Sequence, residues 1–150
     1  MSRRLAICGV HHVTAICSDA ERTIAFYRDL LGLAVVRDGA SDDDPESRHV
    51  WFDAGAGAQS VSFMQYPELP PSADGPGGTH HFALQVDSAE ELDAWVAYLR
   101  GRGVECTDVM ERGSFRSTYV SDPDGHLVEL ATRGPEWSSQ ARAPEAGGLF

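Results

Sequence analysis

Apolar positions in this chain recur in two registers, strand-like and helical, and the whole arrangement occurs twice. Residues 10–17 form a run of strand formers, Val-His-His-Val-Thr-Ala-Ile-Cys. Ser18 follows, three residues before Glu21, which is the spacing of a capping box. Ile24, Phe26, Tyr27, Leu30 and Leu31 then fall at helical intervals, and Gly32 is a plausible stop. About 70 residues later the pattern returns. Residues 81–86 read as the strand, and Ser88 and Glu91 repeat the capping box. Leu92, Trp95, Val96 and Leu99 make the helical stripe, which Gly101 or Gly103 ends.

Three more strands fit after each helix: 33–37, 49–53 and 60–66 in the first half, and 104–110, 117–121 and 126–131 in the second. Each half is thus β-α-β-β-β, an α+β class. The acidic stretch 41–46 reads as a solvated loop, and the Pro- and Gly-rich stretch 67–78 as the linker between halves. Module one is expected over about residues 9–67 and module two over about 79–133. Together they make one domain spanning 1–137, with a loose tail at 138–150 into which Trp137 leads.

Composition narrows the function classes. With 42% hydrophobic and 23% charged residues, 150 residues can bury a real core. A net charge of -11 repels polyanions, so neither nucleic acid nor an anionic membrane surface is an expected partner. No apolar run approaches the roughly 20 residues of a membrane span, and the N-terminus lacks the apolar stretch of a signal peptide. A cytoplasmic protein is expected. The three cysteines, Cys8, Cys17 and Cys106, stand at unrelated spacings and read as idle thiols of a reducing compartment.

The repeat also places chemistry. Each half opens on a His-His pair, 11–12 and 80–81, and the second half closes on Asp122-Pro123-Asp124-Gly125-His126-Leu127-Val128-Glu129-Leu130. Two histidines on equivalent strands and one late glutamate form a candidate 2-His-1-carboxylate metal site. With open positions, that ligand set suits non-haem Fe(II) and dioxygen. Neighbouring residues of a strand point to opposite faces, so one histidine of each pair can ligate. His49 and His126 are weaker candidates, and Trp51, Phe63 and Trp95 read as core. No phosphate-cradling glycine loop is present, and nothing resembles a Ser or Cys nucleophile with its base.

Paired β-α-β-β-β modules with ligands on first and last strands resemble the vicinal oxygen chelate superfamily. Its members include glyoxalase I, extradiol dioxygenases, methylmalonyl-CoA epimerase, and fosfomycin and bleomycin resistance proteins. The resemblance covers about residues 9–137 and implies a curved, eight-stranded mixed sheet. Several segments are closer to the ring-cleaving dioxygenases of the hydroquinone type: 11–16, the Asp-rich 42–45 with 49–52, 61–67, and Arg112, Phe115, Ser117 and Tyr119 leading into 122–135. Those enzymes usually carry two such domains. A shorter protein rebuilds the iron site from its two halves, within one chain or in a module-exchanged dimer.

The resemblance implies His12, His81 and Glu129 as metal ligands. Fe(II) is expected first, with Mn(II), Zn or Ni as other occupants. It implies a phenolic substrate bound beside O2, Tyr119 as a hydrogen-bond donor, Arg112 as a fixed cation, and His11 and His80 as acid-base groups. The histidine that catechol-cleaving members carry upstream of the matching tyrosine is absent, since Ser114, Phe115 and Arg116 stand there. A homodimer is expected. Two other readings remain. A glyoxalase-like or epimerase-like lyase or isomerase would add a fourth ligand on the strand at 59–66, for which Gln65 is the candidate. A drug-binding protein of the bleomycin-resistance kind would bind without metal.

Overall fold

The computed structural model describes residues 9–55, 57 and 59–133. Cys8 and the expected tail, including Trp137 and the boundary at 137–138, lie outside the described residues. The element order is β1 (Val13–Cys17), α1 (Ala20–Ile24) running into a π-helical stretch (Ala25–Leu30), β2 (Ala34–Ala40), β3 (Arg48–Asp53) and β4 (Gln59–Gln65). The second module follows as β5 (Phe82–Val86), α2 (Ala89–Gly101), β6 (Met110–Glu111), β7 (Arg116–Ser121) and β8 (Leu127–Thr132). The repeated β-α-β-β-β order is therefore borne out. The eight strands hydrogen-bond as two four-stranded mixed sheets, ordered β1-β4-β3-β2 and β5-β8-β7-β6. In each sheet the first strand pairs parallel with the last and the other neighbours are antiparallel.

Period-two alternation decides what each strand buries. On one face of the first sheet Cys17, Val50, Phe52, Val61 and Phe63 are buried against Ile24 and Tyr27 of the helix. In the second sheet Val86, Val120, Val128 and Leu130 play that part against Leu92 and Leu99 of α2. The wider turns of the π-helical stretch bond Leu31 N to Phe26 O, and both Phe26 and Tyr27 turn inward. Gly32 follows with φ +79°, the left-handed stop expected there.

Two local readings change. Asp19, not Ser18, caps α1, accepting from Glu21 N and Arg22 N. Ser18 is drawn away because its backbone N–H and its hydroxyl both donate to Asp124 in the other module. In α2 the cap stands as read: Ser88 Oγ accepts from Glu91 N, and Glu91 reaches back to Asp87 N. The expected strand 104–110 shrinks to Met110–Glu111 and a lone bridge between Cys106 and Val120.

The seam between modules is polar as well as apolar. Tyr27 donates its hydroxyl to Asp122 at 2.9 Å, and Asp122 also accepts from Asp124 N and His126 N. His126, a weaker ligand candidate in the sequence, is half-buried in this seam. Its Nε2 bonds Ile16 O at 2.7 Å and its ring packs edge-on against Phe63. The Asp-Pro-Asp-Gly turn thereby fastens β8 to the β1–α1 junction, with Gly125 at φ +90° closing it.

Candidate metal centre

The face of each sheet opposite its helix carries the candidate chemistry, and the two faces match position by position. In the second module His81 stands just before β5, two residues from Ala83. Ala83 pairs with Glu129 on β8, and Glu129 pairs with Tyr119 on β7. In the first module His12 stands two residues before Thr14. Thr14 pairs with Ser62 on β4, and Ser62 pairs with Trp51 on β3. The repeat thus equates His12 with His81, Trp51 with Tyr119, and Ser62 with Glu129.

The second-module half is tightly assembled. His81 Nε2 lies 3.1 Å from Glu129 Oε2. The Glu129 side chain is only 5% exposed, and its Oε1 is buried with no hydrogen-bond partner among the described residues. Leaving a buried carboxylate oxygen unpaired is costly unless a cation or donor completes it. The Tyr119 ring meets His81 edge-on at 5.4 Å between centroids. The Arg112 guanidinium lies over the Tyr119 ring at 5.7 Å, with Nη2 3.5 Å from the phenolic oxygen. Four of the residues singled out from the sequence therefore converge: His81, Glu129, Tyr119 and Arg112.

The first-module half is built differently. The His12 ring packs on Trp51 at 4.8 Å, and Trp51 packs on His49 at 4.7 Å. His49 is buried, and its Nε2 bonds Ser62 Oγ at 3.0 Å. Ser62, fully buried, also bonds Thr14 Oγ1 at 2.8 Å. Desolvation, chiefly, with the nearby Arg37 charge, pulls the His49 pKa below its ordinary value, so His49 is a neutral ring at pH 7. Trp51 belongs to this face and not to the core expected for it, whereas Phe63 is fully buried in the core and Trp95 packs against it. Thr14 and Ser62 were not singled out from the sequence. Aligning the strands of the two repeats residue by residue would have found Ser62 opposite Glu129.

Two features bear on ligation. His11 Nδ1 lies 2.8 Å from His12 Nδ1, and His80 Nδ1 lies 2.8 Å from His81 Nδ1. If the second histidine of each pair ligates through Nε2, its proton sits on Nδ1 and is donated to the first histidine. This orients the ligand ring as outer-shell partners of metal histidines do. Gln65, the candidate fourth ligand, is spent elsewhere. Its Oε1 accepts from Ala20 N at 2.7 Å, on the helix side of the sheet.

His12 does not join His81 and Glu129. Among the described residues of one chain no three His, Cys, Asp or Glu side chains lie together as a metal site. The described residues present two separate clusters: a carboxyl group and imidazole with one buried oxygen unpaired among them, and an imidazole backed by neutral hydroxyls and rings.

Comparison with known proteins agrees with this architecture. The chain is 25% identical over 129 residues to a Bacillus subtilis (strain 168) protein named "Putative ring-cleaving dioxygenase MhqA", covering 84% of this chain and 40% of that protein. It is 30% identical over 130 residues to lactoylglutathione lyase GLX1 of Arabidopsis thaliana, covering 83% of this chain and 44% of the relative. The solved structure of a "putative dioxygenase" from Bacillus subtilis subsp. subtilis str. 168 superposes with a TM-score of 0.75 at 26% identity, over 84% of this chain and 41% of that one. The chain thus spans less than half the length of each. The family model of the Glyoxalase/Bleomycin resistance protein/Dioxygenase superfamily matches residues 9–130, which takes in both modules and every ligand candidate. With the duplicated β-α-β-β-β order and the matching histidine-bearing faces, that match makes this chain a member of the superfamily.

Proposed function

We propose that the protein is a metal-dependent dioxygenase that cleaves a hydroxylated aromatic ring, using His12, His81 and Glu129 as metal ligands. The observation that carries this reading is the asymmetry between the half-sites. The position equivalent to Glu129 holds Ser62, whose hydroxyl is engaged by Thr14 and His49. Gln65 is engaged by the helix N-terminus. Three protein ligands are then available, not four, and three open positions suit a chelating substrate and dioxygen. A divalent ion held there, Fe(II) in this reading, supplies Lewis acidity and a path for electron density between a phenolate and dioxygen.

The chain's own residues have distinct tasks. His11 and His80 fix the tautomers of the ligand rings, and their own Nε2 atoms remain for proton transfer. Tyr119 presents its hydroxyl beside His81 and orients a phenolate oxygen. Arg112, against Tyr119, offers a permanent cation where oxyanion charge develops. Trp51 and His49 wall the His12 side and exclude water. Because one chain holds its ligands as two half-sites, a homodimer that sets His12 of one copy beside His81 and Glu129 of the other completes the centre. This expectation is tested by solution mass at tens of micromolar, where a monomer counts against it.

The lyase or isomerase reading rests on the 30% identity to a lactoylglutathione lyase. One experiment separates the two: metal content measured anaerobically, followed by oxygen uptake over a panel of hydroquinones and catechols. Iron-loaded protein that consumes oxygen with a member of the panel supports ring cleavage. Protein that consumes none, yet isomerises a hemithioacetal or an acyl thioester, moves the assignment to the second class. Protein that purifies and functions without metal sinks both.

A further inference from the structure

Each module carries an arginine beside the aromatic residue of its candidate face, and the two arginines differ in what neutralises them. In the first module Arg37 on β2 stands in register with Trp51 on β3. Its guanidinium is spent on Asp42, with two hydrogen bonds of 2.8 and 2.9 Å. In the second module Arg112 follows β6 and lies over the ring of Tyr119. Its Nη2 is 3.5 Å from the phenolic oxygen and 3.4 Å from Met110 Sδ. Among the described residues no carboxylate stands within salt-bridge distance of it. The adjacent Glu111 is held instead by Arg116, its partner across the β6–β7 hairpin, at 2.7 Å.

A cation without a counter-charge is notable on this chain. With 23 acidic residues to 12 basic ones, a carboxylate for Arg112 is easy to supply, as Asp42 supplies one for Arg37. The site also has a scale. The ring of Tyr119 touches both the His81 imidazole, at 5.4 Å, and the Arg112 guanidinium, at 5.7 Å. One aromatic ring therefore links a candidate metal ligand to the free cation. A guanidinium presents its N–H donors in a planar fork that matches a carboxylate, and the resulting bonds are charge-assisted.

We propose that Arg112 is the receptor for a carboxylate on the substrate, so that the ring to be cleaved is that of a hydroxybenzoate. The inference rests on the ring-cleaving reading and gives Arg112 a binding task that reading does not contain. The phenolic oxygen of the substrate goes to the His81 and Glu129 end, its ring runs alongside Tyr119, and its carboxylate meets Arg112. Arg37, already paired, offers no second receptor on the first-module face, so the substrate binds in one orientation.

The test is a binding titration with oxygen excluded, on the full chain as purified and after Fe(II) loading. The ligands are gentisate and protocatechuate, a hydroquinone and a catechol that each carry one carboxylate, and their methyl esters. Each ester keeps the ring and its hydroxyls and loses the charge. The wild type is expected to bind at least one acid about tenfold more tightly than its ester, the scale of a charge-assisted pair. Arg112→Gln should abolish that difference. Arg112→Lys should restore part of it, since lysine keeps the charge without the fork. Raised salt should narrow the gap in the wild type. Arg112 is exposed, so neither variant disturbs the core. Acids that bind no better than their esters, or do not bind, overturn the proposal. A preference that survives Arg112→Gln also overturns it, because the carboxylate is then read by the metal ion or by another residue. Oxygen uptake by the same preparations decides the ring-cleaving reading separately. Protein that prefers the acids through Arg112 yet consumes no oxygen keeps the carboxylate site and loses the dioxygenase.

Discussion

Glu129 places one carboxylate oxygen 3.1 Å from Nε2 of His81 and leaves the other buried without a partner among the described residues. An unpaired buried carboxyl oxygen is costly unless a cation or a donor completes it. Glu129→Gln keeps the shape and removes the charge. It is expected to weaken divalent-metal affinity by at least the roughly 10–100-fold that loss of an outer-shell partner costs. Competition against a chelating dye measures it. Unchanged metal affinity would remove Glu129 from the ligand set.

Tyr119→Phe keeps the ring beside His81 and deletes only the hydroxyl. Metal content should stay the same. Losing one polar contact typically costs about 1–3 kcal/mol, so turnover on a responsive phenol should fall roughly ten- to a hundredfold. Equal turnover of the two proteins would return Tyr119 to a packing role.

Gln65→Ala separates helix support from ligation. It strands the Ala20 N–H at the buried start of α1, and the expected loss is about 1–3 kcal/mol in denaturant unfolding. Metal affinity should not move. A drop in metal affinity with unchanged stability would instead favour the four-ligand lyase or isomerase chemistry.

Tyr27→Phe tests the seam. The phenol is fully buried, and desolvation together with the Asp122 charge pushes its pKa far above 10, so it stays a donor. Removing it takes a hydrogen bond from a buried carboxylate. A hydrogen bond to a charged group is worth about 1.5–3 kcal/mol, read as a lower denaturant midpoint at constant m-value.

Arg48 grips Asp38 with two hydrogen bonds of 2.7 and 2.8 Å. Those bonds chiefly, and the guanidinium charge, hold the Asp38 pKa below its ordinary 3.8 against some desolvation. A depressed carboxylate contributes stability above its unfolded-state pKa and loses it as pH falls through its folded-state pKa. Wild type should therefore exceed Asp38→Asn in stability at pH 6, and the gap should close below about pH 3.8. With both side chains about one-third exposed, the gap is expected to be only about 0.2–1 kcal/mol. Urea titrations of both proteins at three pH values measure it.

The local order of this protein is written in its sequence. Alternation and helical spacing predict both modules because each strand and helix is amphipathic on its own, and Ser88 with Glu91 caps α2 through neighbours in the chain. The histidine pairs are legible because a duplicated pattern repeats them, and Glu129 because it closes the Asp122–Leu130 run on the last strand. What depends on contacts between residues far apart in the chain was decided only by tertiary structure. Ser18 yields the cap to Asp19 because Asp124, 106 residues away, takes its hydrogen bonds. Gln65 turns to the helix because Ala20 N–H lacks any nearer acceptor in its own turn. Trp51 leaves the core for the His12 face because strand register sets it beside Ser62, on the side away from Phe52. His12 parts from His81 and Glu129 because each lies on the sheet of its own module, and how the two sheets meet is a property of their buried faces and their seam, not of any local pattern.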